Sequence, residues 1–155
     1  SKYENIGASG SRLLTGNSSY FEELEDKIAQ FHGFEAGIIY NCGYMANLGL
    51  LSTIAGSGDT ILYDSRIHAS AYDGIRLSRS KSFPFKHNDM NHLEKCLQRH
   101  RGEKTCFICV ESVDSTDGSI APLADICKLA ERYEAQIILD EAHATGGYGH
   151  EGRGM

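Results

Sequence analysis

The chain has 155 residues, 41% of them hydrophobic and 23% charged, which suits one soluble domain with a proper core. A net charge of −6 and a pI near 5.6 argue against a nucleic-acid groove, which needs a basic stripe, and no apolar run approaches membrane-spanning length. The start, SKYENIGASG, has no signal-peptide core, so the expected setting is soluble and cytoplasmic, with neither nucleic acid nor membrane as a partner.

In chain order, NSSYFEELEDKIAQFHGF carries Tyr20, Leu24, Ile28 and Phe31 at helical spacing. Residues 17–19 are N-cap candidates and Gly33 is the stop. AGIIY (36–40) reads as a short strand, followed by a helix over about 44–54, the strand TILYD (60–64) and a helix after His68. A weak strand near SFPF (82–85) leads to a helix over 90–98, where Met90, Leu93 and Leu97 share a face. TCFICVE (105–111) is a strand, PLADICKLAERYE a helix with Pro122 in its first turn, and AQIILD (135–140) a strand. Strands alternating with helices imply an α/β fold, a three-layer, mainly parallel sheet with helices on both faces. The continuous apolar runs of the last two strands predict the sheet centre for both. No repeat, low-complexity tract or linker interrupts the chain, so it is one domain or part of one.

The 5 cysteines have no framework spacing. Cys106 and Cys109 form C-x-x-C, but on a strand residues three apart point to opposite faces, so no metal is expected there. Reduced core cysteines are the expectation.

Ligands of an open parallel sheet bind beyond the carboxyl ends of its strands. Polar clusters lie at four such ends: NCGYMAN, DSRIHAS, ESVDSTDG and DEAHATGG. Singly, each is ordinary turn or cap chemistry; at one edge of one sheet they suggest a site. Asp140-Glu141-Ala142-His143 also spells the DEAH box of helicases. A P-loop ATPase needs a Gly-Lys pair to grip phosphate, and no Gly precedes a Lys anywhere before Asp140. The helicase reading fails.

The ordered set GASGSRLLTGN, YNCGYMANLG, HAS, Asp117-Gly118 followed by APL, DEAHATG and GRG resembles the α-oxoamine synthases over nearly the whole chain. These are pyridoxal-phosphate enzymes of fold type I that join an acyl-CoA to a small amino acid with loss of carbon dioxide. The resemblance implies pyridoxal 5'-phosphate as cofactor and a homodimer with active sites at its interface. It assigns Asp140 to the ring nitrogen, where a carboxylate keeps the ring protonated and electron-withdrawing. It assigns His143 to the neighbourhood of the phenolic oxygen and His68 to stacking on the ring. Ser115 and Glu111 match positions beside the phenolic oxygen and the reacting centre. Gly43 and Tyr44 open a helix whose free amides favour the cofactor phosphate by roughly 0.3–2 kcal/mol, and Cys42 and Asn47 are further cofactor-binding candidates. Catalytic candidates are thus His68, Glu111, Asp140 and His143; no metal ligand is expected.

Two positions depart from the family pattern. Asp114 stands where an aromatic or apolar residue is usual, and Glu141 replaces a more usual Asp. The lysine that the family uses to hold its cofactor covalently matches no position here. The resemblance therefore implies part of the large, cofactor-binding domain, without that lysine segment or the C-terminal small domain. By itself such a chain is expected to be inactive. A non-catalytic module of the same fold is the alternative class.

Overall fold

The computed structural model describes residues 7–8, 10–100 and 104–155. They form two compact units, Ser1–Ile39 and Tyr40–Met155. In the first, α1 spans Ser19–His32 and ends at Gly33, whose φ of 77° turns the chain out of the helix in the left-handed conformation. The predicted helix is there, but of its residues only Ala29 is buried; the apolar stripe stays open. Polar contacts help to order this unit. Glu25 receives the Arg12 guanidinium on both oxygens, one at 2.8 Å, and the Ile39 amide at 2.7 Å. Arg12 first, and then the Ile39 amide, hold the Glu25 pKa down to about 2. The Gly-rich stretch turns tightly, with the Gly16 amide donating to the Ser11 carbonyl at 2.9 Å. A Cβ on Gly16 would lie 1.9 Å from the Gly10 carbonyl oxygen, so only glycine fits.

Segment 36–40 is not a strand. No ladder pairs it among the described residues, and the Ile39 amide goes to Glu25 instead. An apolar run becomes a strand only where a neighbouring edge takes up its backbone groups.

The second unit follows the expected alternation: α2 (Gly43–Ile54), β1 (Thr60–Asp64), α3 (Ala69–Leu77), β2 (Lys81–Phe85), α4 (Met90–Arg99), β3 (Cys106–Glu111), α5 (Leu123–Tyr133) and β4 (Gln136–Asp140). A short 3-10 turn follows at His150–Gly152. All strand pairs are parallel and the sheet order is β2-β1-β3-β4. The chain moves one way from β1 to β2 and the other way afterwards. Right-handed crossovers therefore put α3 on one face and α4 and α5 on the other.

Strand alternation fills both layers. Leu62, Ile108 and Val110 pack with Phe85, Leu93, Leu97, Ile126 and Leu129 beneath α4 and α5. Ile61, Phe107 and Cys109 pack with Leu51, Ala55, Ala71 and Ile75 beneath α2 and α3. Cys106 and Cys109 thus belong to opposite layers, as the period-two argument requires. The weak strand is an edge strand, where Pro84 costs no ladder bond that the sheet needs. β3 is interior and almost wholly buried, whereas β4 is the outer strand among the described residues and only half-buried. Its apolar run shows that two faces are covered but does not say how many strands flank it. No helix among the described residues is long and apolar enough to cross a membrane.

Candidate active site

Register brings the first two candidates together. Glu111 pairs with Asp140 at the ends of β3 and β4. Alternation puts both on the face shared by Cys109 and Ile138, under α2 and α3. Burial first, then the nearby Asp140, Glu111 and Asp64 carboxylates, push the Cys109 thiol up to about 12. That thiol is a packing group rather than a nucleophile.

From Asp140 a hydrogen-bonded chain crosses to the start of α3. Asn47, on the first turns of α2, donates from Nδ2 to Asp140 Oδ2 at 2.8 Å and to Ser70 Oγ at 3.0 Å. Ser70 Oγ lies 2.7 Å from His68 Nδ1, and the Ser70 amide donates to the same nitrogen at 3.2 Å. His68 is the N-cap of α3, its ring nitrogen accepting the Ser70 amide. The second Asp140 oxygen accepts the Ala142 amide at 2.9 Å. Among the described residues no cation pairs with Asp140.

The other candidates gather less tightly. Ser115 donates its amide to Glu111 Oε2 at 2.9 Å, while Glu111 Oε1 is buried without a partner. Cys42 is the N-cap of α2 and offers no side-chain cap, so the first amides of that helix, from Gly43 and Tyr44 on, remain open. The Tyr44 hydroxyl donates to Asp73, which raises the Tyr44 pKa. His143 is exposed in the turn after β4.

A second cluster escaped the sequence reading. It lines a solvent-open cleft of ≈ 210 Å³ with Asp64, Arg66, His87, Glu111, Asp114 and Ser119 among its walls. This cleft sits between the ends of β1 and β3, where the strand order reverses. Of the sequence candidates it includes Glu111 alone. Buried Asp64 accepts the Arg66 and Asn88 amides at 2.9 and 3.0 Å and meets His87 Nδ1 at 2.9 Å. His87 Nε2 reaches Ser119 Oγ at 2.9 Å. Ligand atoms of His87, Asp114 and Asp117 lie within 4.8 Å of one another, but Arg66 already bonds both carboxylates. A metal ion there would have to displace that guanidinium.

The first constellation suits pyridoxal phosphate. A half-buried carboxylate without a cation partner fits a protonated ring nitrogen. The uncapped start of the twelve-residue helix α2 fits a phosphate. The orphaned Glu111 oxygen in the cleft wall leaves an acceptor for a donor on a ligand.

The model for "Aminotransferase class I and II" matches residues 1–154. The chain is 47% identical to an 8-amino-7-oxononanoate synthase of Lysinibacillus sphaericus over 154 residues, 99% of this chain and 39% of that one. A Bacillus subtilis (strain 168) enzyme, 8-amino-7-oxononanoate synthase 2, is 47% identical over 148 residues, 96% of this chain and 38% of its own. Among solved structures, a serine palmitoyltransferase of S. paucimobilis with bound PLP and myriocin aligns with a TM-score of 0.93 at 37% identity, covering 99% of this chain and 38% of that one. An 8-amino-7-oxononanoate synthase from Francisella tularensis aligns with a TM-score of 0.76 at 35% identity, covering 89% and 39%. The chain thus spans about two fifths of the length of the relatives it matches. With its parallel sheet, its strand-end motifs and these relatives, the chain belongs to the aminotransferase class I and II family, within which it resembles the α-oxoamine synthases.

Proposed function

We propose that this chain is part of the cofactor-binding large domain of a pyridoxal-phosphate-dependent acyl-CoA:amino acid C-acyltransferase, an 8-amino-7-oxononanoate synthase of biotin biosynthesis. The parent protein then condenses pimeloyl-CoA with L-alanine, releasing carbon dioxide and CoA, as a cytoplasmic homodimer. The observation that carries the reading is the cation-free Asp140 carboxylate tied through Asn47 and Ser70 to His68. Pyridoxal phosphate, when bound, supplies an electron sink for the substrate amino acid. Asp140 then holds a proton on the ring nitrogen and keeps that sink effective. The open amides at Gly43 and Tyr44 bind the phosphate, with Cys42 beside them. His68 covers the ring, His143 and Ser115 address its phenolic oxygen, and Glu111 faces the reacting centre.

The branch is supported by GSRLLTGN and APL and by the names of the curated relatives. A close second reading is 2-amino-3-ketobutyrate CoA ligase (glycine C-acetyltransferase), which shares the same constellation. Full-length protein assayed with pimeloyl-CoA plus L-alanine should turn over faster than with acetyl-CoA plus glycine; the reverse preference moves the assignment to the ligase. In the active enzyme, Asp140→Asn should lower kcat far more than cofactor affinity, because ring protonation is what is lost. Loss of cofactor binding with little change in kcat of the loaded fraction removes Asp140 from this role.

A further inference from the structure

The Asn47 side chain has two N–H donors, and both are spent. One goes to Asp140 Oδ2 at 2.8 Å, the other to Ser70 Oγ at 3.0 Å. The amide orientation follows from chemistry, since an ionised carboxylate only accepts and the nitrogen must face it. Ser70 Oγ accepts from Asn47, so its own proton is left for His68 Nδ1 at 2.7 Å. The Ser70 amide donates to that nitrogen too. The bonds run outward from Asn47, one to Asp140 and the other through Ser70 to His68, so the far end is an imidazole with Nδ1 as acceptor and the proton on Nε2. Ser70 is 1% exposed, so water does not compete for these bonds.

We propose that Asn47 and Ser70 are positioning residues that couple the Asp140 carboxylate to the His68 imidazole, fixing the tautomer and tilt of His68 from the same hydrogen-bonded chain that orients Asp140. Asn47 then acts through Asp140 rather than by touching the cofactor itself. The proposal deepens the pyridoxal-phosphate reading and rests on it for what Asp140 and His68 contact. The wiring itself is a property of the protein without its cofactor.

That separation sets the experiment. In full-length, cofactor-free protein at alkaline pH, long-range proton–nitrogen NMR reads the His68 tautomer. Wild type should hold the Nε2–H form alone. Asn47→Asp should bring in the Nδ1–H form although residue 47 does not touch His68, because the new carboxylate takes the Ser70 proton and reverses the chain. Ser70→Ala removes the hydroxyl and leaves only the weaker backbone amide on Nδ1, so it should admit part of the Nδ1–H form, and Ser70→Thr, which keeps a hydroxyl, should restore the wild-type spectrum. In loaded protein, Asn47→Asp puts a second negative charge beside Asp140. It should shift the pH midpoint of the cofactor absorption change by roughly one unit, as a neighbouring charge does. A fall in kcat of roughly tenfold to a hundredfold, as for outer hydrogen-bond partners at other sites, should accompany it. An unchanged His68 tautomer in both Asn47→Asp and Ser70→Ala overturns the coupling, and Ser70→Ala serves alone if the charged variant does not fold. Wild-type protein that neither binds pyridoxal phosphate nor condenses an acyl-CoA sinks the functional reading instead, and leaves the tautomer result standing.

Discussion

Arg66 leaves the turn after β1 and bonds across to the loop after β3, with Nη1 2.8 Å from Asp117 and Nη2 2.9 Å from the Thr116 hydroxyl. Asp114 sits inside the same loop, 5% exposed, and accepts the Thr116 and Asp117 amides at 2.8 and 3.1 Å. Burial opposes its charge, but the Thr116 hydroxyl, those amides and Arg66 outweigh it, so its pKa lies below the ordinary value. The acid that departs from the family pattern is therefore the internal tie of the loop carrying Ser115. Sequence alone showed the departure and not its partner, because Arg66 lies about fifty positions away and only the β1–β3 pairing makes them neighbours. The Ser119 amide and hydroxyl, and then Arg66, hold Asp117 down to about 2 from its ordinary 3.8. A depressed acid stabilises the folded loop above its unfolded value and loses that contribution as pH falls through the folded one. The loop should thus loosen between pH 3.8 and about 2. Carboxyl-carbon NMR should place the Asp117 midpoint near the lower value and find it moved upward in Arg66→Gln. An unmoved midpoint means that Arg66 is a bystander.

Helices α2 and α3 meet where Gly74 has no side chain. A Cβ there would lie 2.8 Å from the Asn47 carbonyl oxygen, 2.9 Å from Leu51 Cβ and 3.2 Å from Leu48 Cα. Two of those atoms are backbone, so relief requires the helices to part. Parting them stretches the Asn47–Ser70 bond, which already stands at 3.0 Å. Gly74→Ala should therefore destabilise the protein by about 1–3 kcal/mol, the usual cost of overpacking, despite alanine's better helix propensity. Denaturant titration measures it, and a stabilised variant would show that the two helices are free to slide. The alternation of elements was legible because periodicity and turn residues are local signals; α4 and α5 fall within a residue or two of their expected ends. Segment 36–40 and the position of β4 were not, since strand pairing is a property of two segments and a sequence run shows only one. Gly74 was passed over for a related reason. A glycine inside a helix reads as a weak point until a second helix is seen lying against it.

Across the whole molecule, the strand-end motifs told more than composition did, because parallel strands open all their following loops on one side. Asp140, Glu111 and His68 could be predicted as neighbours on that ground, whereas the bonds joining Asp140 to His68 run through Asn47 and Ser70, and Ser70 carries no signal beyond its place in HAS. The same topology bears on the lysines. Lys27 lies in α1, Lys95 in α4 and Lys128 in α5, while Lys104 precedes β3 and Lys81 opens β2 at the amino edge. Lys86 does follow a strand at the carboxyl edge. It stands beyond β2, however, three interstrand steps from β4, on the order of 14 Å from the line of Asp140. Its side chain is exposed. A lysine that holds a cofactor covalently has to be buried beside it and activated there, and none among the described residues meets both conditions. Residues 1–155 expressed by themselves should therefore show no turnover with acyl-CoA and amino acid. Treatment with pyridoxal phosphate and borohydride, followed by peptide mass spectrometry, should find weak labelling spread over several exposed lysines. Stoichiometric labelling of a single lysine together with turnover would mean that the site is complete within this chain, and Lys86, at the correct edge, would be the first residue to replace.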